Sequence, residues 1–149
     1  MSNLNSRSLL AAVVLAFVSP LFAADDPIHE RHELMESVGD AAKPVGQMLK
    51  GEREFDAAVV MVSFETFDKV SAEFGDLFPP GSESGQDTEA APAIWEDRAG
   101  FEEALATWAD AVDAAIAARP QTLDETKPVA GKIFNACKGC HDNYRLKDE

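Results

Sequence analysis

The sequence predicts an all-α fold, an antiparallel four-helix bundle, and three observations support this expectation. Apolar residues recur at three- and four-residue spacing in four segments after residue 24, which is the period of an amphipathic helix. The polar–apolar alternation that marks a half-buried strand is almost absent. The chain has 149 residues, enough for one domain with its own core. Four amphipathic helices of about 20 to 27 residues bury their apolar faces well as a bundle.

The first 23 residues have the layout of a secretory signal peptide. Arg7 lies in a short polar region, an apolar run covers residues 9–18, and Pro20 shortly precedes the small residue Ala23. A membrane anchor is the weaker alternative, because the apolar run is about half of the roughly 20 residues that a spanning helix requires. We expect removal of residues 1–23, which leaves a single exported domain over residues 24–149.

The predicted mature chain is strongly acidic. Loss of Arg7 leaves 12 basic against 27 acidic side chains, a formal charge of −15. Such a surface is repelled by nucleic acid and by anionic lipid, so we expect no nucleic acid partner and no stable membrane insertion. It attracts partner proteins that present a basic patch, although charge that serves only solubility would look the same.

The boundaries of the first two predicted helices follow from capping residues and glycines. The first helix begins at Asp26-Pro27, a capping residue followed by proline at the first helical position, and it ends before Gly51. Its inward seam includes Met35 and, at a position where charge is unusual, Arg31. The second helix is predicted over residues 54–74.

A long loop and two further helices complete the predicted bundle. The loop covers residues 76–92, where prolines, glycines and acids concentrate, and we expect Leu77 and Phe78 to attach it to the core. The third helix is predicted from Pro92 to Ala118. The fourth opens with the capping pattern of Thr122 and Glu125 and continues to about Lys147. Pro128 predicts a kink or a later start of this helix.

The strongest chemical signal is the pentapeptide Cys137-Lys-Gly-Cys140-His141 in the last predicted helix. Cys-x-x-Cys-His is the attachment motif of c-type haem. Two thiols three residues apart lie on one face of a helical turn, so each can form a thioether with one haem vinyl group. We therefore predict one covalent haem c, with His141 as an iron ligand.

Three other interpretations of these cysteines were weighed. A structural zinc site commonly needs a second pair of ligands, and the chain has no further cysteine. A thioredoxin-like redox pair needs a βαβ context, which is missing. A plain disulfide is compatible with an exported chain. The adjacent histidine favours haem over all three.

The pentapeptide lies on the last of four helices, and in this respect the chain resembles the cytochrome c′ family of four-helix-bundle haem proteins. Further similar pieces occur in the family's order, namely Arg31-His-Glu-Leu-Met35 with Gly39, Pro92-Ala-Ile-Trp95 with Phe101, and His141-Asp-Asn-Tyr144-Arg145. The resemblance covers the predicted mature chain. The elements 77–79 and 92–95 look most like the low-spin cytochrome c-556 branch.

The resemblance makes the sixth position of the iron the central question. In the low-spin branch a methionine of the first helix ligates the iron, and Met35 matches that position. In the high-spin branch the iron is five-coordinate and binds small gases such as NO or CO. Met35 as an ordinary core residue is the competing interpretation. The alternative ligands Met48 and Met61 are expected in the core, and His29 and His32 at the surface or rim.

Three more residues are predicted to contact the cofactor or its surroundings. Arg31 is placed to pair with a haem propionate, a surface ion pair being the alternative. Arg145 is expected to orient groups around the histidine ligand. Trp95, with Phe101, is expected to pack against the porphyrin, core packing being the alternative.

The function predicted from sequence is electron transfer by a periplasmic, low-spin monohaem cytochrome, with His141 and Met35 as iron ligands. The alternative is a high-spin cytochrome c′ that binds NO or CO, and a weaker one is a haem-bearing structural or sensory partner of a membrane complex. No enzymatic activity is expected. Redox proteins with a basic patch are the expected partners. The apolar faces of the first two helices permit a homodimer, and a monomer is equally consistent with the sequence.

Overall fold

The computed structural model describes residues 26–85 and 88–147, and the predicted signal peptide lies outside this range. The fold consists of four long helices, a 3-10 turn over Phe74–Leu77 and a short helix α3 over Ala93–Glu96. The long helices are α1 (Pro27–Leu49), α2 (Ala57–Glu73), α4 (Arg98–Ala118) and α5 (Leu123–Tyr144). No strand occurs in the described ranges, apart from one isolated bridge between Ala90 and Arg145. The prediction of a four-helix bundle is confirmed.

Helix α1 packs mainly on α2, α2 on α4, and α4 on α5, whereas α1 and α5, the first and last helices of this series, make few contacts with each other. The bundle is therefore closed along three seams and open along the fourth. Short connections join α1 to α2 and α4 to α5, as expected for antiparallel neighbours. The open seam between the first and last helices is where the candidate site lies.

The predicted start and end of α1 are confirmed. The Asp26 carboxylate accepts a hydrogen bond from the Ile28 amide at 3.0 Å, and Pro27 is the first helical residue. Gly51, with φ +75°, takes the left-handed conformation that ends the helix at small cost. Helix α2 begins three residues later than predicted. The Asp56 carboxylate accepts from the Ala58 and Val59 amides, which fixes the helix start at Ala57.

The predicted third helix is broken into α3 and α4 at Asp97. Asp97 leaves the helical conformation, with φ −126° and ψ 61°, and its carboxylate accepts a hydrogen bond from the Gly100 amide. The aspartate side chain thus starts a new helix where the apolar period alone predicts a continuous one. The sequence pattern missed this break because period and capping compete at the same residues.

Helix α5 begins at Leu123, with Thr122 as the predicted capping residue. The Thr122 hydroxyl accepts from the Glu125 amide at 3.3 Å, and the Glu125 carboxylate accepts from the Gln121 amide at 2.8 Å. Pro128 lies inside the helix, so the alternative of a later start was wrong. The helix ends at Tyr144, before the predicted Lys147, because the following residues pair with the loop that precedes α3.

The core is continuous along the bundle and rich in phenylalanine. Phe78 of the loop is 5% exposed, and its ring contacts those of Phe74, Trp95 and Phe101 at centroid distances of 5.2, 5.8 and 4.8 Å. The predicted attachment of the loop to the core is thereby observed. The loop does not hang free but forms one wall of the open seam.

Gly100 marks a close approach between the start of α4 and the end of α5. A Cβ at this position would lie 2.5 Å from the Tyr144 hydroxyl and closer still to the Asp97 carboxylate. Gly100→Ala should break the Asp97 cap or the hydrogen bond from the Tyr144 hydroxyl to it. We expect the free energy of unfolding to fall by about 1 kcal/mol in urea denaturation followed by circular dichroism.

The matched control for this prediction is Gly131→Ala in α5. No atom lies within 4 Å of a Cβ there, and the residue is in a helix interior. Alanine should therefore raise the free energy of unfolding by about 0.5–1 kcal/mol. Equal effects of the two substitutions would contradict the close approach at Gly100.

Candidate functional site

A cavity of about 630 Å³ occupies the open seam between α1 and α5, a size typical of cofactor sites. Helix α4 and the segment that precedes α3 complete its walls. Most of the lining is apolar. The side chains that form this apolar lining include Ile28, Val38, Ala42, Phe74, Phe78, Ile94, Phe101, Leu105 and Phe134. Polar groups are concentrated on α1 and at the end of α5.

The last two turns of α5 bring the predicted attachment residues to the cavity wall. Cys137, Cys140 and His141 all line the cavity, and the two cysteines are half-buried and not joined by a disulfide. Burial raises the pKa of Cys137, and burial with the neighbouring Cys137 raises the pKa of Cys140 to about 11. Both groups are therefore thiols at neutral pH. A thiol forms a thioether when its S–H bond adds across the double bond of a haem vinyl group.

The His141 imidazole is kept neutral by its surroundings. Partial desolvation lowers the pKa of His141, and the Arg145 guanidinium lowers it further, whereas the Glu89 and Asp142 carboxylates raise it. A lowered pKa favours the neutral imidazole, and its unprotonated nitrogen is the atom that can bind a metal. His141 remains partly exposed, at the edge of the site.

On α1, Met35 is the sulfur-bearing side chain that lines the cavity. It is half-buried and follows Ile28 and precedes Ala42 by seven residues, so that all three lie on one face. Met48 is 1% exposed in the core, and neither Met48 nor Met61 lines the cavity.

The two α1 histidines differ in their placement. His32 lines the cavity and is exposed, which places it at the rim. His29 does not line the cavity and pairs with Glu33 at 3.2 Å. Of the side chains weighed as alternative ligands to Met35, His32 is thus the only one at the cavity wall within the described residues.

Arg31 is buried at the cavity wall, with 6% of its surface exposed. Its guanidinium donates four hydrogen bonds to the loop, reaching the Leu77 carbonyl, the Ser82 hydroxyl and carbonyl, and the Thr88 hydroxyl at 2.9–3.2 Å. It also lies 4.7 Å from the Phe78 ring centroid and 5.8 Å from that of Trp95. The sequence pattern places Arg31 inward but carries no signal for these loop acceptors.

The charge of Arg31 is not neutralised by a nearby carboxylate. Burial lowers the pKa of Arg31 and the more distant Asp26 raises it, yet an arginine remains a cation in either case. Among the residues that the structure describes, no carboxylate lies within ion-pair distance of the guanidinium. A buried cation beside an apolar cavity attracts an anionic group of a bound molecule.

The two predicted aromatic contacts differ in their placement. Phe101 lines the cavity and is 1% exposed. Trp95 does not line it. The Trp95 ring packs on Phe78 behind the wall, and its indole nitrogen donates to the Pro79 carbonyl at 3.4 Å. Trp95 therefore supports Phe78 and Arg31 in this structure.

Two polar side chains at the wall have no counterpart in the sequence prediction. The indole nitrogen of Trp108 is buried without a hydrogen-bond partner, although the same residue lines the cavity. Glu89 lies at the other end, where its carboxylate accepts from the Arg145 guanidinium at 2.8 Å. In the sequence, Trp108 is one of several apolar residues of α4, and Glu89 is one of several acids in the loop. The local sequence pattern therefore could not identify either residue as part of the site.

The residues of this cavity fit a haem. Two protonated thiols and a neutral imidazole stand together on one wall, a methionine stands on the α1 wall, and the space between is lined by apolar side chains. A porphyrin is flat and largely apolar, with anionic propionates at one edge. The Arg31 cation, which has no ion pair with a carboxylate among the described residues, and the indole nitrogen of Trp108 are polar groups that such a molecule could use as partners.

Comparisons with known proteins agree with this fit. The family profile described as Cytochrome C′ matches residues 26–145. A cytochrome c′ from Rhodopseudomonas palustris is 41% identical over 127 residues, covering 84% of this chain and 85% of that protein. The solved cytochrome c′ from the same organism has a TM-score of 0.79 and 39% identity, covering 83% of this chain and 98% of its own.

A solved cytochrome c-556 is almost as similar in structure as the cytochrome c′. The structure of oxidized R. palustris cytochrome c556 has a TM-score of 0.75 and 30% identity, covering 83% of this chain and 98% of its own. The comparisons thus include both cytochromes c′ and cytochromes c-556. With a matching profile over nearly the whole described chain, and with the attachment residues at the wall of a haem-sized cavity, the chain belongs to the cytochrome c′ family of haem c proteins.

Proposed function

We propose that this protein is a low-spin, monohaem electron carrier in which Cys137 and Cys140 hold the haem and His141 and Met35 are the iron ligands. The observation that carries the proposal is that Met35 of α1 lines the same cavity as Cys137, Cys140 and His141 of α5. The R. palustris cytochrome c556, 30% identical, supports the comparison with the c-556 branch.

The bound haem would supply a one-electron centre that alternates between ferric and ferrous iron. The protein's residues keep that centre closed and fixed. Two thioether links from α5 would prevent dissociation of the haem, and the ligands His141 and Met35 would join α5 and α1 across the open seam. A methionine thioether raises the reduction potential relative to a second imidazole. The apolar wall excludes water, so a change of redox state requires little rearrangement.

Arg31 has two roles in this proposal. Its hydrogen bonds hold Leu77, Ser82 and Thr88 of the loop against the cavity, and its charge provides a partner for a haem propionate. Trp95 acts through Arg31 and Phe78, on which it packs.

A second candidate function is the binding of NO or CO by a five-coordinate haem. The observation that favours it is the identity of 41% with a cytochrome c′, which exceeds the 30% with the solved cytochrome c556. In this case Met35 would be a neighbour of the open iron position rather than its ligand.

Carbon monoxide separates the two candidate functions. The purified holoprotein, reduced with dithionite, should show a low-spin spectrum that CO leaves unchanged, because Met35 occupies the position that CO needs. The measurement is the Soret and visible spectrum before and after saturation with CO. A high-spin spectrum that shifts on mixing would replace the first candidate with the second.

We further propose that residues 1–23 direct export to the periplasm, where the haem protein meets redox partners with a basic patch. In the described residues, no helix is both long and apolar enough to cross a membrane. The formal charge of −15 after removal of the leader would steer a basic partner toward the protein.

We also propose that two copies of the chain associate through α1 and α2. Val62 is 61% exposed on α2, beside a shallow groove lined by residues of both helices, including Ala41 and Val59. A solved cytochrome c′ that is 21% identical to this chain is described by a ligand-controlled dimer dissociation, so dimers occur in the family. Analytical ultracentrifugation would show a dimer that Val62→Lys dissociates.

A further inference from the structure

An ion pair stands directly beside the predicted iron-ligating histidine. The Arg145 Nε donates to the Glu89 carboxylate at 2.8 Å, and both residues line the cavity. Arg145 follows His141 by four residues, and its amide donates to the His141 carbonyl at 3.3 Å. His141 and Arg145 both line the same cavity.

The backbone around Glu89 fixes the carboxylate in place. The Leu146 amide donates to the Glu89 carbonyl at 2.8 Å, and the Ala91 amide donates to the Tyr144 carbonyl at 3.0 Å. These two bonds flank the isolated bridge between Ala90 and Arg145. The loop segment 89–91 is therefore tied to the end of α5, so the carboxylate meets Arg145 at a defined distance.

Both charges of the pair lie at the wall of the cavity that His141 also lines. The neighbouring Asp142 does not line the cavity, and its carboxylate is engaged by the Lys138 ammonium group. The charge that the iron experiences from this side therefore depends on where Arg145 is held.

We propose that Glu89 is a positioning residue that holds the Arg145 guanidinium beside the iron-ligating histidine and offsets its charge there, so that the pair sets the reduction potential. Reduction adds one electron to ferric iron, and no bond in the pair forms or breaks. The inference rests on haem attachment at Cys137 and Cys140 but does not require Met35 to be a ligand.

The test is the midpoint potential of the holoprotein with Glu89→Gln. In Glu89→Gln the Arg145 cation loses the carboxylate that offsets it and acts more strongly on the iron, which favours the ferrous state, so we expect the equilibrium with a fixed mediator to shift about threefold toward reduction. At 59 mV per tenfold change for one electron, this is about 28 mV. The measurement is made at about 10 mM ionic strength, where charges interact over roughly 30 Å.

The matched control is Glu102→Gln. Glu102 pairs with Arg98 at 2.7 Å, and the exposed fractions of 41% and 61% resemble the 42% of Arg145 and 58% of Glu89. Neither Arg98 nor Glu102 lines the cavity. This variant removes the same charge and the same kind of pair away from the cavity wall, so its potential should shift by clearly less than that of Glu89→Gln.

A double-variant cycle distinguishes positioning from the charge of Glu89 alone. If Glu89 acts through Arg145, its replacement should shift the potential less than half as much in an Arg145→Gln background. Glu89→Asp, which keeps the carboxylate, should restore part of the shift.

An equal shift in both backgrounds, or a Glu89→Gln shift no larger than that of Glu102→Gln, overturns the proposal. Both side chains are exposed, so folding should persist, and circular dichroism of each variant checks this. The outcome is independent of the proposed ligand set. The CO spectrum tests Met35, whereas the potential shift can be measured for either spin state.

Discussion

Replacing Met35 with leucine is expected to convert a low-spin protein that ignores CO into a high-spin protein that binds it on mixing. Leucine has nearly the volume of methionine, so the cavity wall and the bundle should be preserved. It has no lone pair, however, and leaves the iron without its thioether ligand. The expected change is a loss of the low-spin bands in the reduced spectrum, together with a CO-induced Soret shift. The reduction potential should fall as well.

The matched control is Met48→Leu. Met48 is a methionine of the same helix, but it is fully buried in the core and does not line the cavity. Its replacement should cost less than about 1.5 kcal/mol of stability and leave the spectrum and the CO response unchanged. If Met35→Leu also kept the parent spectrum and potential, Met35 would be a core residue rather than a ligand. Replacement of His32, which stands at the cavity rim, would then be the next measurement.

Replacing Arg31 with alanine is expected to cause the largest loss of stability of any single charged residue on the cavity wall. The substitution removes four hydrogen bonds to the loop and leaves the carbonyls of Leu77 and Ser82 without a donor. It also opens a gap against the rings of Phe78 and Trp95. We expect the free energy of unfolding to fall by about 3 kcal/mol, since lost bonds to buried groups each cost about 1–3 kcal/mol. Urea denaturation of the holoprotein measures this value.

Two variants serve as controls for the Arg31 prediction. Arg98→Ala removes one hydrogen bond to the Gly75 carbonyl and an ion pair at a site that is 41% exposed. It should cost less than about 1 kcal/mol, the usual value of an exposed pair. Arg31→Lys keeps the charge but not the planar fork, so it should fall between the two. If Arg31→Ala cost no more than Arg98→Ala, the loop would not depend on Arg31.

Much of the fold follows from interactions between neighbouring residues and can therefore be predicted from the sequence. The start of α1 at Asp26-Pro27 and the start of α5 after Thr122 are set by side chains that cap their own backbone. The break at Asp97 was missed because an aspartate inside an apolar period can either face solvent or cap a new helix. Tertiary contact with Tyr144, whose hydroxyl donates to Asp97, accompanies the second choice.

The candidate site likewise has residues that the sequence predicts and contacts that only the tertiary structure shows. Cys137, Cys140 and His141 lie within one helical turn, so their spacing alone predicts a shared face and covalent haem. Met35 reaches the wall through the seven-residue period of α1, which also has a local cause. The hydrogen bonds of Arg31 to Ser82 and Thr88 join residues more than fifty positions apart and leave no periodic trace. The same holds for Glu89 and Arg145.

The sequence by itself determined four amphipathic helices, a covalent attachment motif on the last of them, and an inward methionine and arginine on the first. Helical period, capping and motif spacing act between neighbours in the chain, which is why a single sequence reveals them. Only the tertiary structure decided that the bundle opens between α1 and α5, and that Arg31 holds the loop. It likewise showed that Glu89 meets Arg145 beside His141. These contacts arise when distant segments pack together to bury apolar surface. Polar groups that become buried in the process need hydrogen-bond or ion-pair partners, and the local sequence does not show which residues these partners are.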